Sequence, residues 1–287
     1  MEEKAAAPES SAAPTPLEGT AISHEPTANE EETRAALLKR SKRAFAVIMK
    51  DFVQTPPTKD GQKIVDRAGI LSEFVRNGDL RGLRAYLLLC AFISANGAED
   101  GWSATLPVKV WARAFDTTRY ADSRSSSTAV SKILGRLEKR GLITRTRKGR
   151  ERKIQVTLLH PDGDKAPFRR KDDAGRTIPY LKLRNIYWED WFDKLDLPAT
   201  AMLLVALHSR PTRFELPSEK VPDWYGWSAD TAERGFRKLA DLGLLEITPR
   251  RKKAALAPEG YTIVNHYRLV GPFAPAASPD STGGDKP

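Results

Sequence analysis

Residues 131–158 read SKILGRLEKRGLITRTRKGRERKIQVTL, and the way this stretch changes period decides the fold. Val130, Ile133, Leu134 and Leu137 stand at i, i+3, i+4 and i+7, one apolar face of a helix. Gly141 interrupts that period. Leu142 and Ile143 then open a segment with strand-like alternation, which turns about Gly149 and returns through Ile154, Val156 and Leu158. The expectation is a helix over 127–140 followed by a hairpin over 142–159.

Charge is concentrated on the same motif. The helix face opposite the aliphatics carries Thr128, Lys132, Gly135 and Lys139, flanked by Ser131 and Arg136, and Ser125 to Ser127 offer capping hydroxyls ahead of it. Arg145, Arg147, Lys148, Arg150, Arg152 and Lys153 crowd around Gly149. Residues 124–153 hold eleven cations against Glu138 and Glu151, a net +9 in a chain whose formal charge is +10. A glycine inside a helix costs stability, so Gly135 marks either a close approach to another backbone or packing beneath a neighbouring loop.

Outward from this stretch the chain repeats itself. RLEKRGLITRTRK (136–148) aligns with KLADLGLLEITPR (238–250); Ala104-Thr105-Leu106-Pro107 matches Phe214-Glu215-Leu216-Pro217; AYLLLCAFISA (85–95) matches AMLLVALHSR (201–210). A period near 100 residues is too long for a solenoid and indicates a duplicated domain. Each copy reads as an apolar helix, a short strand ending in Leu-Pro, a second helix, a third helix and a two-stranded hairpin. In the first copy these are 81–95, 103–106, 108–116, 127–140 and 142–159. The segment PDGDKAPFRRKDDAGR (161–176) is polar and turn-rich, as a linker would be.

SSTAVSKILGRLEKRGLITRTRKGR resembles the recognition helix, glycine turn and wing of bacterial winged helix-turn-helix DNA-binding proteins, and LPVKVWARAF is similar to the helix before their turn. The turn TTRYADSRSSS is several residues longer than that family's. The resemblance implies an α+β fold, mostly α, with two tandem winged-helix domains of three helices and a wing each. The tandem order resembles plasmid replication initiators, and paired winged helices are also similar to the kleisin-binding subunits of bacterial condensins. The expected organisation is an acidic tail over 1–33, domain 1 with an N-terminal helical extension over 34–160, a linker over 161–176, domain 2 over 177–270 and a tail over 271–287.

Composition sets the remaining bounds. The first 33 residues carry eight glutamates against Lys4 alone, a net −7, which leaves +17 on the rest. That leader and the tail from Gly271 lack large apolar residues in number and are expected to be disordered; His24 reads as a solvated histidine. No run approaches a membrane span, and no basic-then-apolar leader opens the chain, so the expected location is the cytoplasm, associated with the nucleoid. Cys90, in an apolar run, reads as a buried thiol. His160, His208 and His266 sit in no nucleophile or metal motif, no glycine-rich phosphate loop is present, and neither catalysis nor a cofactor is expected.

The second copy differs chemically. Its third helix, SADTAERGFRKLADLG (228–243), buries Ala232, Gly235, Phe236 and Leu239 and exposes a face mixed in sign: Asp230, Arg234, Arg237, Lys238 and Asp241. Its wing starts with Arg250, Arg251, Lys252 and Lys253. Trp224, Tyr225 and Trp227, and the aromatic block YLKLRNIYWEDWFDKLDLP (180–198), read as packing between elements. The partner expected from all this is double-stranded DNA. Ser127, Thr128, Ser131, Lys132, Arg136 and Lys139 would lie in the major groove, and Arg145, Arg147, Lys148, Arg150, Arg152 and Lys153 on phosphates. Arg234, Arg237, Lys238 and Arg251 would make weaker contacts, or the second domain would instead hold a protein partner or a second copy.

Overall fold

The computed structural model describes residues 27–59, 62–64, 66–94, 101–119, 123–148, 153–209 and 213–275; of Lys59, Gln62, Lys63, Ser123 and Lys148 it describes the backbone alone. Helix α1 (Glu30–Ser41) starts at a capping box in which Asn29 accepts from the Glu32 N–H and Glu32 accepts from the Asn29 N–H, both at 2.9 Å. The acidic tail therefore ends earlier than the composition suggests: Glu30 to Glu32 form a first turn whose charge suits the helix dipole, and Thr33 is buried.

Strand β1 (Phe45–Met49), helix α2 (Lys50–Val53) and the small hairpin β2 (Thr58–Lys59) and β3 (Gln62–Lys63) follow, then α3 (Leu71–Arg76) and α4 (Leu80–Phe92). Asp79 caps α4 by accepting the Gly82 N–H at 3.0 Å. From Ala85 to Phe92 every residue of α4 is buried, as a helix apolar on all sides must be. Strand β4 (Ser103–Pro107), α5 (Val108–Ala114), α6 (Ser123–Lys139), β5 (Ile143–Lys148) and β6 (Lys153–Leu158) complete this half, the strands pairing antiparallel in the order β4-β6-β5. Trp111 of α5, fully buried, donates Nε1–H to the Ile154 carbonyl at 3.1 Å and ties helix to sheet.

The second half opens on β7 (Tyr180–Arg184) and a π-helical turn at Tyr187–Trp191. It continues through α7 (Leu197–His208), β8 (Phe214–Glu215), α8 (Val221–Tyr225), α9 (Ala229–Asp241), β9 (Leu245–Lys253) and β10 (Tyr261–Leu269), with strand order β8-β10-β9. Both halves thus run helix, short strand, helix, helix, hairpin, and in both the short strand pairs with the returning strand of the hairpin. The repeated Gly-aliphatic signature has a common cause. Gly141 (φ 70°) and Gly243 (φ 69°) take the left-handed conformation that ends α6 and α9. The Leu142 N–H then donates to the Leu137 carbonyl and the Leu244 N–H to the Leu239 carbonyl, at 3.1 and 2.9 Å.

Gly235 allows α9 to lie against α7: a Cβ there would stand 2.5 Å from the Pro198 carbonyl oxygen and 2.6 Å from Met202 Cγ. The halves are also sewn together. Strand β1 pairs antiparallel with β7, Ala46 opposite Leu183 and Ile48 opposite Leu181. The segment read as a linker is packed: Phe168 is buried with its ring centroid 4.8 Å from that of Trp102, because an apolar ring inside a polar run still seeks the core. Tyr225 and Trp227 are buried and stacked at 5.5 Å, and the α8 backbone meets the first half through Gln54 Nε2 donating to the Trp224 carbonyl at 3.2 Å. Residues 271–275, read as the start of a disordered tail, are held by Phe273, buried near Trp191, and by Arg184 Nη1 donating to the Pro272 carbonyl at 2.7 Å.

Candidate nucleic-acid interface

Helix α6 buries the four aliphatics that its period assigns inward: Val130, Leu134 and Leu137 are fully enclosed and Ile133 nearly so. It starts at Ser123, so Ser125 to Ser127 lie inside its first turns and do not cap it. Ser126 is buried and donates Oγ–H to the Thr117 carbonyl at 3.0 Å, which anchors the long turn ahead of the helix. Ser127 is half-buried; Thr128 is exposed and donates to the Arg124 carbonyl one turn back at 3.0 Å.

Between α6 and the hairpin β5–β6 lies a groove of about 390 Å³ lined by Thr128, Ser131, Lys132, Arg145, Thr146, Arg147 and Ile154. Lys132, Lys139 and Arg147 are exposed and have no ion-pair partner among the described residues. Arg145 crosses from β5 to the helix. Its Nε donates to Glu138 Oε2 at 2.8 Å and its Nη1 to the Ser131 carbonyl at 2.9 Å, and its backbone N–H donates to Glu138 Oε1 at 3.2 Å. At Gly135 the nearest atoms to a Cβ built there belong to the Arg145 guanidinium, at 3.4–3.8 Å, which is ordinary van der Waals contact, so no neighbouring loop packs tightly over this glycine among the described residues.

Arg136 does not face the groove as the helical projection expects. It makes a two-pronged pair with Asp79, Nε to Oδ2 and Nη2 to Oδ1, each 2.9 Å. Arg140 joins the same carboxylate through Nη1 at 2.6 Å and reaches Glu73 Oε2 from Nε at 3.4 Å, its guanidinium 4.1 Å from the centroid of Phe74. Burial opposes the charge on Asp79, but the hydrogen bonds from Arg136, Arg140 and the Gly82 N–H outweigh it and hold the carboxyl below the usual aspartate value. Two of the motif's eleven cations therefore fasten the C-terminal half of α6 to the cap of α4. Sequence could show Asp79 as a helix cap but not that its other lone pairs face an arginine 57 residues away.

Arg150 and Arg152 lie outside the described residues, as does the side chain of Lys148; Lys153 opens β6 half-buried. In the second half the arginines of α9 are spent on acids one turn earlier, Arg234 Nε on Asp230 at 3.2 Å and Arg237 Nη2 on Glu233 at 2.5 Å, while Lys238 is exposed with no ion pair among the described residues. Arg251 stacks over Tyr261, 4.5 Å from its centroid. The space between α9 and β9–β10 is larger, about 670 Å³, with Phe236, Ile247, Ile263 and Tyr267 among its lining.

Among the described residues no three His, Cys, Asp or Glu side chains are grouped to hold a metal ion, and no helix is long and apolar enough to cross a membrane. Burial pushes the Cys90 thiol up to about 12, far from a reactive thiolate. Burial also pushes His208 down to about 4, with Lys50 and Arg67 adding repulsion. Comparison with protein-family models, with curated proteins and with solved structures found no match for this chain.

Proposed function

We propose that the protein is a sequence-specific binder of double-stranded DNA, each half being a winged helix. In this reading α6 of the first half enters the major groove and the β5–β6 hairpin rests on the flanking phosphates. It would act as a transcriptional regulator or as a replication-initiation or partition factor. The observation that carries this reading is the cation-lined groove between α6 and the hairpin, where Lys132 and Arg147 stand exposed without ion-pair partners among the described residues while the apolar face of α6 is fully buried behind them. A helix with side chains is about 10–12 Å across and the major groove about 12 Å wide, so an exposed helix face with a projecting hairpin is the shape that duplex DNA accepts.

In this reading the roles within that face differ. Thr128, Ser131 and Lys132, which line the groove, would meet base edges. Arg136 acts through the fold, holding α6 to Asp79, and Arg145 spans hairpin and helix with its charge partly met by Glu138. Lys139, Arg147 and the hairpin cations supply phosphate contacts. About six such contacts would make the logarithm of affinity fall with the logarithm of salt at a slope of roughly −5.

The test is selection of bound duplexes from a random DNA pool at about 150 mM salt, followed by sequencing. An enriched motif, lost on Lys132→Ala, supports the reading. Retention without enrichment reduces it to nonspecific binding, and no retention of duplex DNA at low salt overturns it.

A further inference from the structure

The two halves share a topology but line the equivalent groove differently. In the first the lining is hydroxyls and cations with Ile154; in the second Phe236, Ile247, Ile263 and Tyr267 lie among acids and the cations Arg237, Lys252 and Lys253. The large hydrophobic side chains that the described surface leaves exposed are Ile247, Leu256 and Ile263, and all three belong to the β9–β10 hairpin. Ile247 lies directly across from Tyr267, and the period of two puts Ile263 on the same face. Tyr267 stacks on Phe236 of α9 with centroids 4.1 Å apart, so this is the face turned toward α9. Ile263, at 65% exposure, continues that face beyond the point where α9 covers it. Leu256 stands wholly exposed in the loop at the hairpin tip.

Charge is sorted on the same unit. Glu219 and Glu233 line the groove, and Glu219 has no ion pair among the described residues. Arg250, Arg251, Lys252 and Lys253 run along β9 up to the loop that carries Leu256. Arg250 and Lys253 have no ion pair among the described residues. One surface thus holds a hollow with apolar residues on its floor and, in Glu219, an acid with no ion pair among the described residues, and beside it a protruding leucine preceded by cations. A patch carrying both a hollow and the knob that complements it is what a two-fold symmetric contact requires, since each subunit offers the same surface to the other.

We infer that the hairpin β9–β10 and the groove beneath it form a homodimer interface, in which Leu256 of each copy seats on the Ile247–Ile263 floor of the other. Arg250 and Lys253 then face Glu219 across the two-fold axis, since Glu233 and Lys252 are already paired within their own subunit. This leaves the first halves, with their α6 grooves, outside the contact, so a dimer presents two of them at a fixed separation. The inference stands apart from the DNA reading, because it concerns another surface and its deciding measurement, the mass of the chain in solution, is made without DNA.

The experiment is sedimentation equilibrium of the full chain from about 1 to 100 μM, compared with Leu256→Asp and with Glu219→Lys. Leu256 and Glu219 are both exposed, so neither substitution disturbs the core, and circular dichroism confirms it. The wild-type chain is expected to dimerise in this range, each variant to weaken dimerisation at least tenfold, and Glu219→Lys with Lys253→Glu to recover most of the loss. A chain that is monomeric at about 100 μM overturns the inference, as does a dimer indifferent to Leu256→Asp. If Leu256→Asp leaves the mass unchanged and weakens retention on duplex DNA, the hairpin is a nucleic-acid wing and the dimer assignment falls.

Discussion

Asp79→Asn isolates the contact that most changes the reading of α6. The amide keeps an oxygen for the Gly82 N–H, so the cap on α4 survives, while the charge shared by Arg136 and Arg140 is removed. Asp79 and Arg140 are 8% and 7% exposed, a buried pair, and deleting one partner from such a pair typically costs 3–5 kcal/mol. Glu73 remains 3.4 Å from Arg140 Nε and partly compensates, which places the expected loss near the lower end, about 3 kcal/mol. Arg136 is 43% exposed, so solvent screens its share and Arg136→Ala should cost only about 1 kcal/mol. Thermal and urea unfolding of wild type, both single variants and the double variant would measure the losses and the coupling between positions 79 and 136. The same variants in the DNA selection separate structure from readout: Arg136→Ala should leave the enriched motif intact. An Asp79→Asn loss below about 1 kcal/mol, or a relaxed motif in Arg136→Ala, would refute the argument that these arginines serve the fold.

Three further outcomes follow from the geometry. Lys132→Ala should leave stability within about 0.5 kcal/mol of wild type, yet weaken binding to a selected duplex by roughly five- to a hundredfold in a fluorescence-anisotropy titration. Gly235→Ala, whose Cβ would collide with the Pro198 carbonyl and Met202, should destabilise by about 2 kcal/mol or more, whereas Gly135→Ala meets only a guanidinium at 3.4 Å and should be neutral or stabilise by up to about 1 kcal/mol in urea unfolding. His208 has its folded value depressed to about 4, so the unfolded chain takes up its proton first. Stability should therefore fall as pH drops from about 6.5 toward 4, by up to about 3 kcal/mol from this residue, and His208→Gln should flatten that slope. The Asp79 carboxyl, also depressed, adds a loss only below the ordinary aspartate value, as pH falls through its folded value.

Much of the fold was legible in the residues because local physics decides it. The i, i+3, i+4, i+7 aliphatics of α6, the glycines that must adopt positive φ after α6 and α9, and the alternation of the hairpins each follow from backbone geometry within a dozen residues. The common element order of the two halves was legible for the same reason, since both keep the glycine-aliphatic ending and the Leu-Pro before the second helix. The acidic leader and the C-terminal tail were over-extended, because composition averages over windows and misses a single capping box at Asn29 or a single anchor at Phe273.

The site divides along the same line. Sequence determined that a cationic helix face and a cationic hairpin would be neighbours, since they are covalently adjacent. It could not determine which cations remain available, because neutralisation is a matter of partners distant along the chain. Asp79 and Glu73 reach α6 only through the packing of α3 and α4, and that packing makes Arg136, which was expected in a DNA groove, and Arg140 into ties. Likewise β1 meets β7, and α8 meets Gln54, only because the two halves share one core, and only that arrangement shows the supposed linker to be part of it. Period, caps and turns are short-range and belong to the sequence; which charges are free and which surfaces are covered are long-range and belong to the tertiary structure.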